Sequence, residues 1–325
     1  MDMTQAWPLG DKDLSVGILG FSEGNAHPFS WSAMFNDYDH DTMVEWTASD
    51  FATIPDYLGK QPKHTIGIPG ARITHVCCTG YAGREMAEGI AAATFIPHVV
   101  DKPEEMIGQV DAVICATDIG AEHVGRCKPF MEAGIPMFID KPMVDNEEDL
   151  KTFIRWRDEG KHFISSSSMR YAKTMEPFYA NHYDLGDLKY ICMPMAKKFE
   201  TYGIHAMEHI YPLLGPGFVS VQNTGTPERS MAHLVHENGC YVDIPQGQKK
   251  GACQIIGSAG TKIVGDTDSY YAFKKQLDLF VHFLRTGEEP HPFEETIELM
   301  KMVIGGLRSR DEGGRVVPLS EISER

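Results

Sequence analysis

The stretch LSVGILGFSEGNAHP, residues 14–28, decides how the chain begins to fold. Its first half is a short, continuous apolar run, the pattern of a strand buried on both faces. Its second half is a turn rich in glycine and small polar residues, and a first helix is expected at about 30–36. Strand, turn and helix in this order open a parallel α/β unit. The same rhythm then repeats. ITHVCCT (73–79), FIPHVV (95–100), DAVICAT (111–117), PMFID (136–140) and HFISSSSM (162–169) read as further buried strands. Helical patterns lie between them, one through EHVGRCKPFMEAG with Gly134 as its stop. Parallel strands need crossover helices, so this half predicts a Rossmann-type, doubly wound parallel sheet.

From Arg170 the pattern changes. A helix comes first, and then strand-like runs near 188–196, 218–223, 231–236, 239–244, 252–256 and 261–264 follow one another with turns and without long helices between them. Helical periodicity returns at 270–286 and 293–309. This half reads as an α+β domain with a large, mostly antiparallel open sheet. The expected division is 1–168 and 169–325, with an insertion at about 37–70 in the first domain. That insertion is too long for an ordinary connection. Its Trp46, Phe51 and Tyr57 either pack it onto the domain or cover a site as a lid.

Bulk properties narrow the function. The formal net charge is −16 over 325 residues, which disfavours a nucleic-acid or anionic-membrane partner. No apolar stretch reaches membrane-spanning length, and the first residues lack a signal-peptide pattern. Seven cysteines without regular spacing read as reduced thiols, so a cytoplasmic protein is expected.

The turn after the first strand departs from the dinucleotide fingerprint G-x-G-x-x-G. Gly20 holds the first position, Ser22 the second and Asn25 the third, with Gly24 one place early and Glu23 adding a negative charge. At the end of the second strand, where a carboxylate usually binds ribose hydroxyls, stands Thr79. A 2′-phosphate would not be repelled there, and Arg84 either reaches it or is a solvated helix residue. At the end of the fifth strand, Asp140-Lys141-Pro142 delivers a lysine to the side of the sheet where open α/β folds bind ligands. Such a lysine can hydrogen-bond a substrate oxygen and depress the pKa of a neighbouring histidine.

The segment GIHAMEHI (203–210) contains H-x-x-E-H, from His205 to His209. In a zinc hydrolase His205 and His209 would ligate the metal beside Glu208, with Glu237 or Glu294 as further candidates. Against that, Gly203 suits the start of a helix rather than its middle, and no metal site is expected.

Taken in order, ATDIGAEH (116–123), DKP (140–142), SMRY (168–171) and TYGIHAME (201–208) resemble the motifs of the glucose–fructose oxidoreductase / inositol dehydrogenase / MocA family. The resemblance runs along nearly the whole chain apart from the insertion. It implies NAD or NADP as cofactor and a carbohydrate-like substrate. By this resemblance Lys141 orients the substrate hydroxyl and His205 is the general base. Thr201 stands where the family has a catalytic aspartate and cannot carry a charge. Gly20, Ser22, Gly24, Asn25, Thr79, Arg84, Ala116, Thr117, Asp118, Asp140 and Lys141 would face the cofactor. Arg170 and His209 are candidates for the substrate's polar groups, and a buried structural role is the competing reading of His209. A homo-oligomer, dimer or tetramer, is implied as well. A non-catalytic sugar-binding relative, and an enzyme that recycles a held nicotinamide within one turnover, remain as alternatives.

Overall fold

The computed structural model describes residues 6–48, 51–247, 249–265 and 268–325. The chain divides into two compact units. The first takes Met1–Asp140, Arg155–Ser165 and Phe273–Pro290; the second takes Lys141–Ile154, Ser166–Ala272 and His291–Arg325.

The first unit is built on six parallel strands: β1 (Leu14–Leu19), β2 (Ala71–Cys77), β3 (His98–Val99), β4 (Ala112–Cys115), β5 (Met137–Ile139) and β6 (Phe163–Ser165). Their order is β3-β2-β1-β4-β5-β6. The chain therefore works outward from β1 in both directions, and the carboxyl end of β1 is the topological switch point. β4 and β5 are buried at every position, as sheets covered on both faces require. Helix α1 (His27–Asn36) follows β1 and is buried from Pro28 to Phe35. Trp31 of α1 meets Phe138 of β5 edge-on at 5.4 Å, and Phe138 in turn lies 5.7 Å from Phe280.

The insertion forms two short helices, α2 (His40–Thr47) and α3 (Thr53–Gly59). Asp39 caps α2 by accepting from the Thr42 N–H at 2.9 Å. The Trp46 ring covers Gly89 of helix α4 (Gly83–Thr94) so closely that a Cβ there would lie 2.4 Å from it. Phe51 meets Phe21 edge-on at 6.1 Å, and Met43 and Leu58 are fully buried. The insertion is packed onto its own unit. Helix α5 (Gly120–Glu132) joins β4 to β5, and Gly134 just beyond it takes φ +72, as its place at the helix stop requires.

The second unit carries a seven-stranded sheet: β7 (Leu188–Cys192), β8 (Phe218–Thr226), β9 (Arg229–His236), β10 (Tyr241–Pro245), β11 (Cys253–Gly257), β12 (Thr261–Val264) and β13 (Val317–Pro318), with α6 (Glu147–Asp158) and α7 (Glu176–Ala180) earlier in the chain. Its order is β12-β11-β7-β10-β9-β8-β13, with β7 and β10 parallel and the other neighbours antiparallel. Ala232, Leu234, Val242 and Ile244 alternate along β9 and β10 and are buried. On the opposite face Met231 and Tyr241 remain exposed. Helix α8 (Phe199–Leu214) carries GIHAMEHI and α10 (Phe293–Asp311) belongs to the same unit, whereas α9 (Ser269–Thr286) lies in the first unit from Phe273 on.

Two expectations need correction. The long helix α8 separates β7 from β8, where the sequence pattern predicts turns alone. Gly203 does not begin the helix but lies in its second turn, and α8 starts at Phe199. The glycine is there for space: a Cβ at Gly203 would stand 2.8 Å from the Phe199 ring. β13 has no counterpart in the sequence reading because two residues are too few to show alternation.

Candidate active site

In the first unit the polar residues gather at the carboxyl ends of β1, β4 and β5. Gly20 takes φ +90, and a Cβ on it would lie 2.6 Å from Thr117 Cγ2, so this first fingerprint position admits only glycine. The chain then makes an extra tight turn, with the Asn25 N–H bonded to the Ser22 carbonyl at 3.1 Å and Gly24 at φ +76. Ser22 Oγ donates to Asp118 Oδ1 at 2.5 Å. Asn25 Nδ2 donates to Asp140 Oδ2 at 3.0 Å and to the Ala116 carbonyl at 3.3 Å. His27 Nδ1 lies 2.6 Å from the same Asp140 oxygen, and its ring stacks on Trp31 at 4.4 Å. Seven of the residues expected at the cofactor, Gly20, Ser22, Asn25, Ala116, Thr117, Asp118 and Asp140, thus form one buried polar cluster.

The extra turn changes what α1 can offer. The His27 N–H donates to Asn25 Oδ1 at 3.0 Å, and Pro28 has no N–H. The Phe29 and Ser30 N–H groups both reach the Ala26 carbonyl, at 3.1 and 3.3 Å. The amides that a helix start normally aims at a phosphate already have partners here. With those amides bonded, it is the side chains of Ser22, Asn25, Thr117 and Asp118, rather than the first turn of α1, that would meet a dinucleotide.

Thr79 at the end of β2 accepts from Arg126 Nη1 at 3.1 Å, and Arg126 also pairs with Glu122 at 2.7 Å. Arg84 is half exposed and held by Glu88 at 2.8 Å and Asp101 at 2.5 Å. Arg126, which the sequence reading passed over, is therefore the guanidinium that sits on Thr79.

In the second unit Lys141, His205 and Thr201 come together around α8. Lys141 is buried, with its Nζ 5.2 Å from the centre of the Tyr202 ring. The His205 ring meets the same Tyr202 ring edge-on at 4.7 Å. Thr201 precedes His205 by four residues and so shares its side of the helix. His205 Nδ1 lies 2.6 Å from Ser167 Oγ, a hydroxyl that also accepts from the Met169 N–H at 3.1 Å. Ser167, Tyr202 and Lys197, whose Nζ is 4.4 Å from the Tyr202 centroid, were not singled out from sequence. Only the serine run before Met169 hints at the first of them.

The rest of H-x-x-E-H is turned to other work. Glu208 accepts from the Ser167 N–H at 3.0 Å and from Arg170 Nη1 at 2.8 Å. Arg170 also pairs with Glu295. Burial pushes the Glu208 carboxyl up, against the pull of Arg170. His209 Nδ1 lies 3.2 Å from the Met169 carbonyl, and burial lowers its pKa to about 4. Among the described residues no group of three His, Cys, Asp or Glu side chains is arranged to hold a metal ion. Arg170 and His209, expected at the substrate, are buried in this network.

No family model matches the chain, and no curated protein does. Solved structures do. The apo scyllo-inositol dehydrogenase of Lactobacillus casei superposes with a TM-score of 0.71 over 96% of this chain and 99% of its own, at 14% identity. The chain has the fold of the inositol dehydrogenases. A myo-inositol dehydrogenase of Corynebacterium glutamicum shares this inositol-dehydrogenase fold at TM-score 0.69 and 16% identity, covering 94% of this chain and 98% of that one. So does an oxidoreductase of Agrobacterium radiobacter solved with NAD+, L-tartaric acid and magnesium, at TM-score 0.72 and 12% identity over 96% of this chain and 100% of that one. The inositol-dehydrogenase fold is the one to which the sequence resemblance led.

Proposed function

We propose that the chain is an NAD(P)-dependent oxidoreductase that moves a hydride between the nicotinamide and a secondary hydroxyl or ketone of a sugar, polyol or related compound. The observation that carries this reading is the joint placement of Lys141 and His205 on one ring, that of Tyr202. The fold supports it, since solved structures that share it include inositol dehydrogenases, one with bound NAD(H) and scyllo-inositol.

The dinucleotide would supply hydride acceptance or donation. The remaining chemistry falls to the chain. Lys141 donates a hydrogen bond to the substrate oxygen and steadies negative charge there. His205 takes the hydroxyl proton as the C–H bond breaks, or returns it in the reverse direction. For that role the neutral imidazole would carry its proton on Nδ1, donated to Ser167 Oγ, so that Nε2 is the nitrogen that would exchange the substrate proton. Thr201 supplies a hydroxyl but no charge, so no carboxylate relay passes through that position. Asn25, Ser22, Asp118 and Thr79 would line the dinucleotide. A homo-oligomer built on the open sheet accompanies this reading.

A second reading, a sugar binder without turnover, draws on the α1 amides that are already bonded. Calorimetry with NAD and NADP, followed by a sugar and sugar-acid panel read at the nicotinamide absorbance, separates the two. Dinucleotide binding with turnover supports the enzyme, provided that Lys141→Ala and His205→Ala each remove most of the rate. Sugar binding with no nucleotide binding supports the binder and ends the proposal.

A further inference from the structure

The chain leaves β2 through Cys78, Thr79, Gly80 and Tyr81, with no carboxylate among them. The Gly20 N–H bonds to the Cys77 carbonyl at 2.8 Å, which sets this strand end beside the first fingerprint glycine. Arg126 of α5 reaches into the same corner. Its Nη1 donates to Thr79 Oγ1 at 3.1 Å and its Nη2 to the Thr79 carbonyl at 3.4 Å. The guanidinium passes between two glycines, both at φ +90. A Cβ on Gly20 would lie 3.7 Å from Nη1, and one on Gly80 3.4 Å from Nη2. Glu122, one turn earlier on α5, holds the Nε and Nη2 edge through a single oxygen, Oε2, at 2.8 and 2.7 Å. That leaves the Nη1 end for Thr79.

The side chains at the strand end are donors. A guanidinium only donates, and Nη1 has a second N–H besides the one on Thr79. The Thr79 hydroxyl accepts from Arg126 and has no acceptor for its own proton among the described residues. The ribose hydroxyls of NAD need an acceptor, which is why a carboxylate usually ends this strand, whereas an arginine accommodates the 2′-phosphate of NADP. A phosphate is all acceptor and takes bonds from a guanidinium and a hydroxyl alike. The carboxylate of Glu122 approaches from α5 rather than from the strand, and its Oε2 is committed to Arg126. Arg84, the guanidinium the sequence pointed to, is spent on Glu88 and Asp101.

We propose that Thr79 and Arg126 select NADP(H) over NAD(H) by receiving the 2′-phosphate of the adenosine ribose. This rests on the oxidoreductase reading and names its cofactor. Tyr81 is 65% exposed and parallel to the Phe21 ring at 6.5 Å, so it offers the adjoining adenine a flat face.

The test is calorimetry on the whole chain, comparing NADPH with NADH and 2′,5′-ADP with 5′-AMP. The second pair carries the same difference without a nicotinamide, so it reads this corner independently of turnover. In each pair the 2′-phosphorylated member should bind about ten times more tightly, a difference of about 1.4 kcal/mol, and the margin should shrink as salt is raised. Glu122 shares the guanidinium, which keeps the margin from being larger. Thr79→Asp restores a carboxylate and should turn the preference to NADH. Arg126→Gln should remove most of the margin by weakening NADPH, and Arg126→Lys should keep part of it. Retained NADH affinity shows that each variant is folded. NADH bound as tightly as NADPH by the wild type, no margin between the two fragments, or a margin that survives Arg126→Gln overturns the inference and leaves the oxidoreductase reading standing. Failure of both dinucleotides to bind overturns the two together.

Discussion

Ser167 Oγ stands 2.6 Å from Nδ1 of His205, and the N–H of the same serine donates to Glu208 three residues further along α8. One residue at the end of β6 therefore grips α8 at two points. The side chain meets the imidazole and the main chain meets the carboxylate. Glu208 is fixed in turn by Arg170, so the orientation of His205 is referred to a buried ion pair rather than to solvent.

Removing the hydroxyl should loosen the imidazole without unfolding the helix. Ser167→Ala is expected to lower kcat about tenfold, equivalent to roughly 1.4 kcal/mol, with KM little changed. The tautomer provides a readout that needs no substrate. In 15N-labelled protein the neutral His205 ring should carry its proton mainly on Nδ1 in the wild type and redistribute it in the variant. An Nδ1 resonance that does not respond to the substitution would show that Ser167 only packs there.

Much of this was legible in the sequence, and the rest was hidden for identifiable reasons. Buried parallel strands such as AVIC declare themselves because both faces need apolar residues. Lys141 was legible because a strand end delivers it. Gly203 misled, since its purpose is to make room for a ring four residues earlier, and composition does not distinguish room from flexibility. Ser167 was hidden within four consecutive serines, and Lys197 within a polar connection whose bend no residue type announces. The first-turn departure was visible, but its meaning was not. Asn25 replaces a glycine and gives the turn a new set of bonds to Asp140 and Ala116.

Asn25→Gly tests that last point. The substitution brings the turn closer to the dinucleotide fingerprint, so sequence logic alone expects tighter cofactor binding. The structure gives the opposite sign. Asn25 does not have positive φ, so glycine relieves nothing, and the lost amide leaves buried Asp140 and the Ala116 carbonyl each one donor short. Unfolding in urea should show a loss of about 1–3 kcal/mol, and NAD affinity should not rise.

His209 should make the protein acid-sensitive. Burial lowers its folded pKa to about 4, whereas an exposed histidine titrates near 6.5. Between those values the unfolded chain binds a proton that the folded chain refuses. The contribution is therefore whole above about pH 6.5 and is lost as pH falls toward 4, to a maximum of about 3 kcal/mol. Denaturation midpoints measured at several pH values for wild type and His209→Gln should converge in acid and separate near neutrality. Parallel curves would mean that another group carries the effect.

Glu208 and Arg170 form a buried pair, and removing one partner strands the other. Glu208→Gln keeps the shape and an acceptor for the Ser167 N–H but takes away the charge. Arg170 retains Glu295, so the cost should fall near the lower end of what broken buried pairs show, about 3 kcal/mol by urea unfolding. A zinc hydrolase would lose its general base in the same variant, whereas under the proposed oxidoreductase function turnover should persist in the fraction that remains folded. Complete loss of turnover in a stably folded Glu208→Gln protein would return Glu208 to the chemistry.

The ring of Phe199 is wedged between two glycines, Gly203 of α8 and Gly306 of α10. Alanine at an interior helix position ordinarily gains about 1 kcal/mol over glycine. At Gly306 a Cβ would stand 2.3 Å from Phe199 Cζ, and the ring has no retreat, because its other side already lies against Gly203 and it is fully buried. Overpacking of this kind costs about 1–3 kcal/mol, enough to reverse the sign. Gly306→Ala should therefore destabilise the protein in urea, and pairing it with Phe199→Leu should recover part of the loss. If Gly306→Ala alone proves stabilising, α8 and α10 are less tightly joined than the Phe199 contacts indicate, and α8 with its His205 has room to shift.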